Sequence, residues 1–134
     1  MKAATMRSDC PISCTLDVLG DRWSMLIMRD LLFFGINSFG GFLLSDEGIA
    51  KNILSDRLSD LVEQGFMIKE VSPGNKSKFL YYPTEKGVDL VPLLLQLAAW
   101  SEKHDPSCRP KHEVGTFRNS RGKAMRTLRM RIKG

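Results

Sequence analysis

The most reactive side chains in this sequence are three cysteines and two histidines: Cys10, Cys14, Cys108, His104 and His112. Cys10 directly precedes Pro11, and proline favours the first turn of a helix. Cys10 is therefore expected at a helix N-terminus, where a thiolate, the form that reacts with oxidants, is stabilised. Asp9 and Asp17 oppose that charge. The competing reading is a small buried apolar side chain, the commonest setting of a free cysteine. Cys14, one helical turn on, suits either the core or a resolving thiol, and Cys108 is placed to reach another subunit. Metal binding is the second chemistry these residues suggest. Cys10 and Cys14 are four apart, and His104, Cys108 and His112 follow at intervals of four. Structural zinc takes four such ligands, usually in tight pairs. Here the two groups lie 90 residues apart without a CxxC pair, so neither a metal nor another cofactor is expected.

A different chemistry is concentrated in two short stretches. Lys51, Asn52, Ser55, Asp56 and Arg57 form the first, and Asn75, Lys76, Ser77 and Lys78 the second. Arginine and asparagine are the side chains best matched to guanine and adenine edges in the major groove, while serine and lysine serve bases and phosphates. The bland alternatives are a solvated helix face, an ion pair of Arg57 with Asp56 or Asp60, and a plain soluble hairpin.

The surrounding pattern says which elements carry these groups. In GIAKNILSDRLSDLVEQG, Ile49, Ile53, Leu54, Leu58, Leu61 and Val62 recur at helical spacing, so a helix from Ile49 to Gln64 is expected, ended by Gly65. Next, FMIKEVSPGNKSKFLYYP predicts strands at Phe66–Ser72 and Ser77–Tyr82 around a Pro73–Gly74–Asn75 turn. Upstream, helices are expected at 11–19, at Arg22–Phe34 with Asp21 as its cap, and at 39–45. Gly40 and Gly41 weaken the last by about 1 kcal/mol each relative to alanine. Downstream, Thr84 caps one long helix from Glu85 to about His104, kinked near Val88 by Pro92. That helix carries Val88, Leu90, Val91, Leu93, Leu94, Leu95, Leu97 and Trp100. It is apolar nearly all round, so one face needs a partner, and a homodimer through it and the N-terminal helix is the economical solution. The other aromatic residues, Trp23, Phe33, Phe34, Phe39, Phe66 and Phe79, are expected mainly in the core, with some of them lining an effector pocket as the lesser alternative.

Bulk properties set the limits. At 134 residues the chain suits one core. No apolar run approaches the roughly 18–20 residues of a membrane helix, and the N-terminus has no signal-like apolar core. An odd cysteine count argues against a secreted disulfide framework; a cytoplasmic protein without membrane contact is expected. The net charge of +5 is unevenly spread. Residues 1–106 hold 11 Lys and Arg against 14 Asp and Glu, a balance of −3, whereas residues 107–134 hold 9 against 1, a balance of +8. The expected organisation is a flexible stretch at 1–9, a folded unit at 10–106, and a basic tail at 107–134, flexible when free, with a helix at 118–132. No nucleophile–base–acid set or Gly-rich phosphate loop is present, so no enzyme is expected.

Four segments in the right order resemble the HxlR-type winged helix-turn-helix regulators. CPISCTLDVLGDRWSMLIMRDLL resembles that family's N-terminal signature, with Cys10, Pro11, Leu16, Gly20, Trp23 and Leu26 in matching places. FGGFLLSDEGIAKNILSDRLSDLVEQGFM resembles its recognition segment, YYPTEKG its wing-to-helix junction, and LLLQLAAW its dimer helix. Departures fall at Gly40 and Gly41, at Asp46 and Glu47, at Leu80 and at Pro83. The resemblance implies a mainly α fold with a small β-wing and dimerisation helices at both ends. It further implies a homodimer that sets two helices into a near-palindromic double-stranded DNA operator, with an oxidant acting at Cys10 or a small-molecule effector shifting affinity. A winged-helix module that contacts protein instead of DNA is the alternative, favoured by Asp46, Glu47, Asp56 and Asp60 near the reading helix.

Overall fold

The computed structural model describes residues 7–108. Six helices and a two-stranded antiparallel sheet follow one another as α1 (Pro11–Leu19), α2 (Ser24–Phe34), α3 (Phe39–Leu43), α4 (Lys51–Glu63), β1 (Met67–Ser72), β2 (Asn75–Pro83), α5 (Glu85–Val88) and α6 (Val91–His104). The mainly α fold with a small β-wing is therefore as expected. The expected helix at 118–132 and His112 lie outside the described residues.

Local chemistry explains most boundaries. Pro11 occupies the first turn of α1. The Asp21 carboxylate accepts hydrogen bonds from the Trp23 and Ser24 amides at 2.8 and 2.9 Å, satisfying donors that would otherwise be orphaned at the start of α2. Ser38 does the same for α3 through the Gly41 amide at 3.1 Å. Two glycines survive in this five-residue helix partly because one is required. A Cβ on Gly41 would come within 2.9 Å of Ile36 Cγ2 and 3.1 Å of Ser38 Oγ. Gly65 takes φ +82° after α4, and the Phe66 amide donates to the Leu61 carbonyl while Gly65 donates to Val62, a glycine-terminated closure that turns the chain into β1.

The single long helix expected from Glu85 to His104 is in fact two. Thr84 Oγ1 caps α5 by accepting from the Gly87 amide at 3.1 Å, and α5 stops at Val88. Pro92 lies in the first turn of α6. Its missing N–H costs nothing there, so it starts a new helix instead of kinking an old one. The second strand also begins earlier than expected. Only Pro73 and Gly74 form the turn, and Ser72 pairs with Asn75 across a register irregularity after Val71; Asn75 and Lys76 belong to β2.

Leu54, Leu58 and Leu61, spaced four and three apart, place one face of α4 wholly in the core with Met28, Leu32, Phe42, Met67 and Val88. Each is worth about 1.5–3 kcal/mol of apolar burial. Tyr81 of β2 meets Phe42 of α3 edge-on at 6.1 Å, and its amide donates to the Asn37 carbonyl at 2.9 Å, so the sheet is held against α3 and α4 at its base. Apolar surface remains on the terminal helices. Ile12 and Leu16 of α1, and Leu93, Leu97 and Trp100 of α6, are exposed by 39–72%. The last three recur at i, i+4 and i+7, one continuous stripe.

Candidate nucleic-acid interface

The face of α4 opposite its core leucines is polar and exposed: Lys51, Asn52, Ser55, Asp56 and Ser59. Ala50 provides no side-chain cap and no acid lies in the first turn, so the positive end of the helix and its early N–H groups are open to an anion. Across a cleft of about 590 Å³ stands the sheet, whose Asn75, Lys76, Ser77 and Lys78 are all exposed. The Asn75 carbonyl oxygen accepts from the Ser77 amide at 3.0 Å and from its hydroxyl at 2.7 Å, stiffening the tip. The two stretches separated in sequence therefore flank one surface.

The charges on this surface do not act as their sequence neighbours suggest. Arg57 donates through Nε to Asp21 at 3.1 Å and lies 2.6 Å from Asp56 and 3.6 Å from Asp60. The guanidinium joins α4 to the cap of α2. Burial pushes the Asp21 carboxyl up, but hydrogen bonds from Ser24 and Trp23 and the charge of Arg57 more than offset this and hold it below its ordinary value. Arg57 thus takes the ion-pair alternative in this structure, with Asp21 as a partner that sequence spacing did not reveal.

A second arginine does the same for the turn before α4. Arg29 donates to both oxygens of Glu47 at 2.8 and 2.9 Å, and to Asp30 at 2.8 and 3.0 Å. Ser45 donates to the other oxygen of Asp30 at 2.5 Å. Asp30, only 3% exposed, is satisfied from both sides, as a buried carboxylate must be. The hydrogen bonds from Arg29 hold Glu47 below the usual carboxylate range. These residues bind α2 to the turn that aims α4, and Asp30 is the one polar position in the stripe Trp23, Leu26, Ile27, Asp30, Leu31 and Phe34. No ion pair engages Lys51, Lys76 or Lys78 among the described residues.

Cys10 is exposed and occupies the N-cap of α1. Hydrogen bonds from the Ser13 and Ile12 amides lower its thiol pKa from the ordinary value. The opposing charge of Asp17 is compensated by Arg7 at 2.8 Å. Cys14 Sγ donates to the Ser8 carbonyl at 3.5 Å, and Cys108 is exposed after α6. No group of three or more potential metal ligands occurs among the described residues, and no helix there is long and apolar enough to cross a membrane.

Comparison with known proteins gives this arrangement its family. An HTH-type transcriptional regulator of Mycobacterium tuberculosis is 35% identical over 91 residues, covering 68% of this chain and 56% of its own length, so the chain spans about half of that relative. Among solved structures, PA1607 matches with a TM-score of 0.67 at 42% identity, over 80% of this chain and 72% of that one. The redox regulator HypR in its oxidised form matches at 0.61 and 29%, over 71% and 97%. The reduced transcriptional regulator YodB of B. subtilis matches at 0.58 and 25%, over 78% and 100%. The profile of the HxlR-like helix-turn-helix family matches residues 18–108, which take in the cap of α2, the braced turn, α4, the wing and α6; the chain belongs to that family of transcriptional regulators.

Proposed function

We propose that the protein is a homodimeric DNA-binding transcriptional regulator of the cytoplasm, in which α4 enters the major groove and the β1–β2 wing follows the backbone. The observation that carries this reading is the charge on the α4–wing face. Among the described residues no ion pair engages Lys51, Lys76 or Lys78, while Arg29 clasps Glu47 and Arg57 lies beside Asp56 and Asp60. Each arginine offsets only one of the carboxylates around it, so it is the exposed lysines of this face that support DNA as the partner. Lys51, Asn52 and Ser55 are the base-reading candidates, with Asp56 at the edge of the same face. Asn75, Lys76, Ser77 and Lys78 serve phosphate or the minor groove, and Arg57 positions α4.

The exposed stripes on α1 and α6 support a dimer of the 10–106 unit through its terminal helices, with the 107–134 tail as a separate basic segment. The exposed, activated Cys10, and the likeness to HypR, support control by thiol oxidation. Footprinting on the gene's upstream region tests the scheme. Two protected stretches centred about 10 base pairs apart are expected; absence of any protected stretch at saturating protein overturns it.

A further inference from the structure

The cleft between α4 and the wing has a chemistry that DNA contact alone leaves unused. Its lining is mixed, with Phe39, Leu58, Val62, Phe79 and Tyr81 as the apolar and aromatic part. It also carries the Ser55, Ser59 and Ser77 hydroxyls with Lys69 and Lys78, and among the described residues no carboxylate lines it. Lys69 is fixed there: its Nζ lies 4.0 Å from the Phe79 ring centroid, a cation–π contact that aims the charge along the wall. At about 590 Å³ the cleft falls in the range of small-molecule sites, roughly 300–1,000 Å³.

We propose that this cleft binds a small aromatic anion, an aryl carboxylate or similar acid. The ring packs against Phe39 and Phe79, and the anionic group meets Lys69 and the serine hydroxyls. Resting on the DNA-binding reading, occupancy has a direct consequence: Ser55 and Ser77 face the ligand, the wing can no longer close on the backbone, and operator affinity falls. Effector and operator then exclude each other without a relay through the fold.

The test uses the full chain and 2-naphthoate as the probe. Titration is followed by amide NMR without DNA, so that its outcome is independent of whether the protein binds an operator. Saturable shifts confined to α3, α4 and the wing, with a dissociation constant of about 1 mM or below, are expected for a ligand of this size. Lys69→Gln should weaken probe binding about fivefold, the scale of one partly solvated charge contact, and Phe79→Ala should weaken it further. Neither residue is assigned to reading DNA, so both variants should keep their unliganded operator preference while losing the probe's inhibition of it. No saturable shift up to about 10 mM, shifts centred on α1 and α6, or equal affinity in Lys69→Gln overturns the proposal.

Discussion

Replacing Arg57 by alanine separates two roles that look identical in sequence. In the structure its Nε lies 3.1 Å from Asp21, and its NH1 lies 2.6 Å from Asp56 and 3.6 Å from Asp60. A sheltered charged hydrogen bond contributes about 1.5–3 kcal/mol, but an exposed pair contributes only about 0.2–1 kcal/mol. Arg57 is 28% exposed and Asp21 27%, whereas Asp56 is 66% exposed, and Asp60, only 15% exposed, stands 3.6 Å off, beyond hydrogen-bond reach. The Asp21 contact therefore dominates, and the substitution should cost about 1–2 kcal/mol of folding stability, or roughly 4–8 °C of melting temperature per kcal/mol. The control is Asp21→Ser, which keeps a hydroxyl able to cap α2 but removes the charge. In that background Arg57→Ala should cost only about 0.5 kcal/mol, a coupling of about 1 kcal/mol in a urea-denaturation double-mutant cycle. Affinity for all duplexes should fall together as α4 loosens. An unchanged urea midpoint with selective loss of operator preference would refute this reasoning and make Arg57 a base reader after all.

Three further outcomes follow from the same geometry. Lys76→Ala, on the exposed wing, should weaken binding to operator and scrambled duplex alike and reduce the log–log salt slope by about one unit; a sequence-selective loss would contradict it. Leu97→Glu, at a residue 51% exposed in the middle of the α6 stripe, should convert a dimer to a monomer in light scattering while leaving the circular dichroism spectrum unchanged; a persistent dimer would place the interface elsewhere. Asp21 and Glu47 both have lowered folded-state pKa values, so the stability they add is present above the unfolded carboxylate range and is lost as pH falls through the folded values. The urea midpoint should therefore hold from pH 7 to about 5 and decline below about 4.5, and Glu47→Gln should shrink that decline; an equal decline in the variant would count against the Arg29–Glu47 brace.

The ends of α1, α2, α4 and β1 are legible to within two residues because periodicity, Pro11, Asp21 and Gly65 all act locally, whereas β2 starts two residues before the expected Ser77 because Asn75 joins the ladder. The break between α5 and α6 was missed because the apolar pattern runs through Asp89 and Leu90 without a gap, and Pro92 is equally at home inside a kink or at a helix start. Within the site, the exposure of Lys51, Asn52 and Ser55 follows from the face opposite Leu54, Leu58 and Leu61, and that of residues 75–78 from their place beside the hairpin turn. The partner of Arg57 did not, because Asp21 is 36 residues away and sequence spacing shows only the neighbours Asp56 and Asp60. In sequence Glu47 reads as a charge hostile to DNA, and only the fold brings Arg29 of α2 onto it. The sequence feature that bears on this brace is Asp30, a carboxylate in an apolar stripe that needs a donor.

Fluorescence anisotropy of a labelled duplex from the gene's upstream region tests the central claim most directly, with a scrambled duplex as control, salt varied, and each series run with reductant and with a thiol oxidant. The account predicts selective, steeply salt-dependent binding that weakens on oxidation in the wild type and not in Cys10→Ser. Selective binding indifferent to oxidation would remove Cys10 from the mechanism, and no salt-dependent binding to any duplex would contradict the assignment of α4 and the wing as a DNA-reading face.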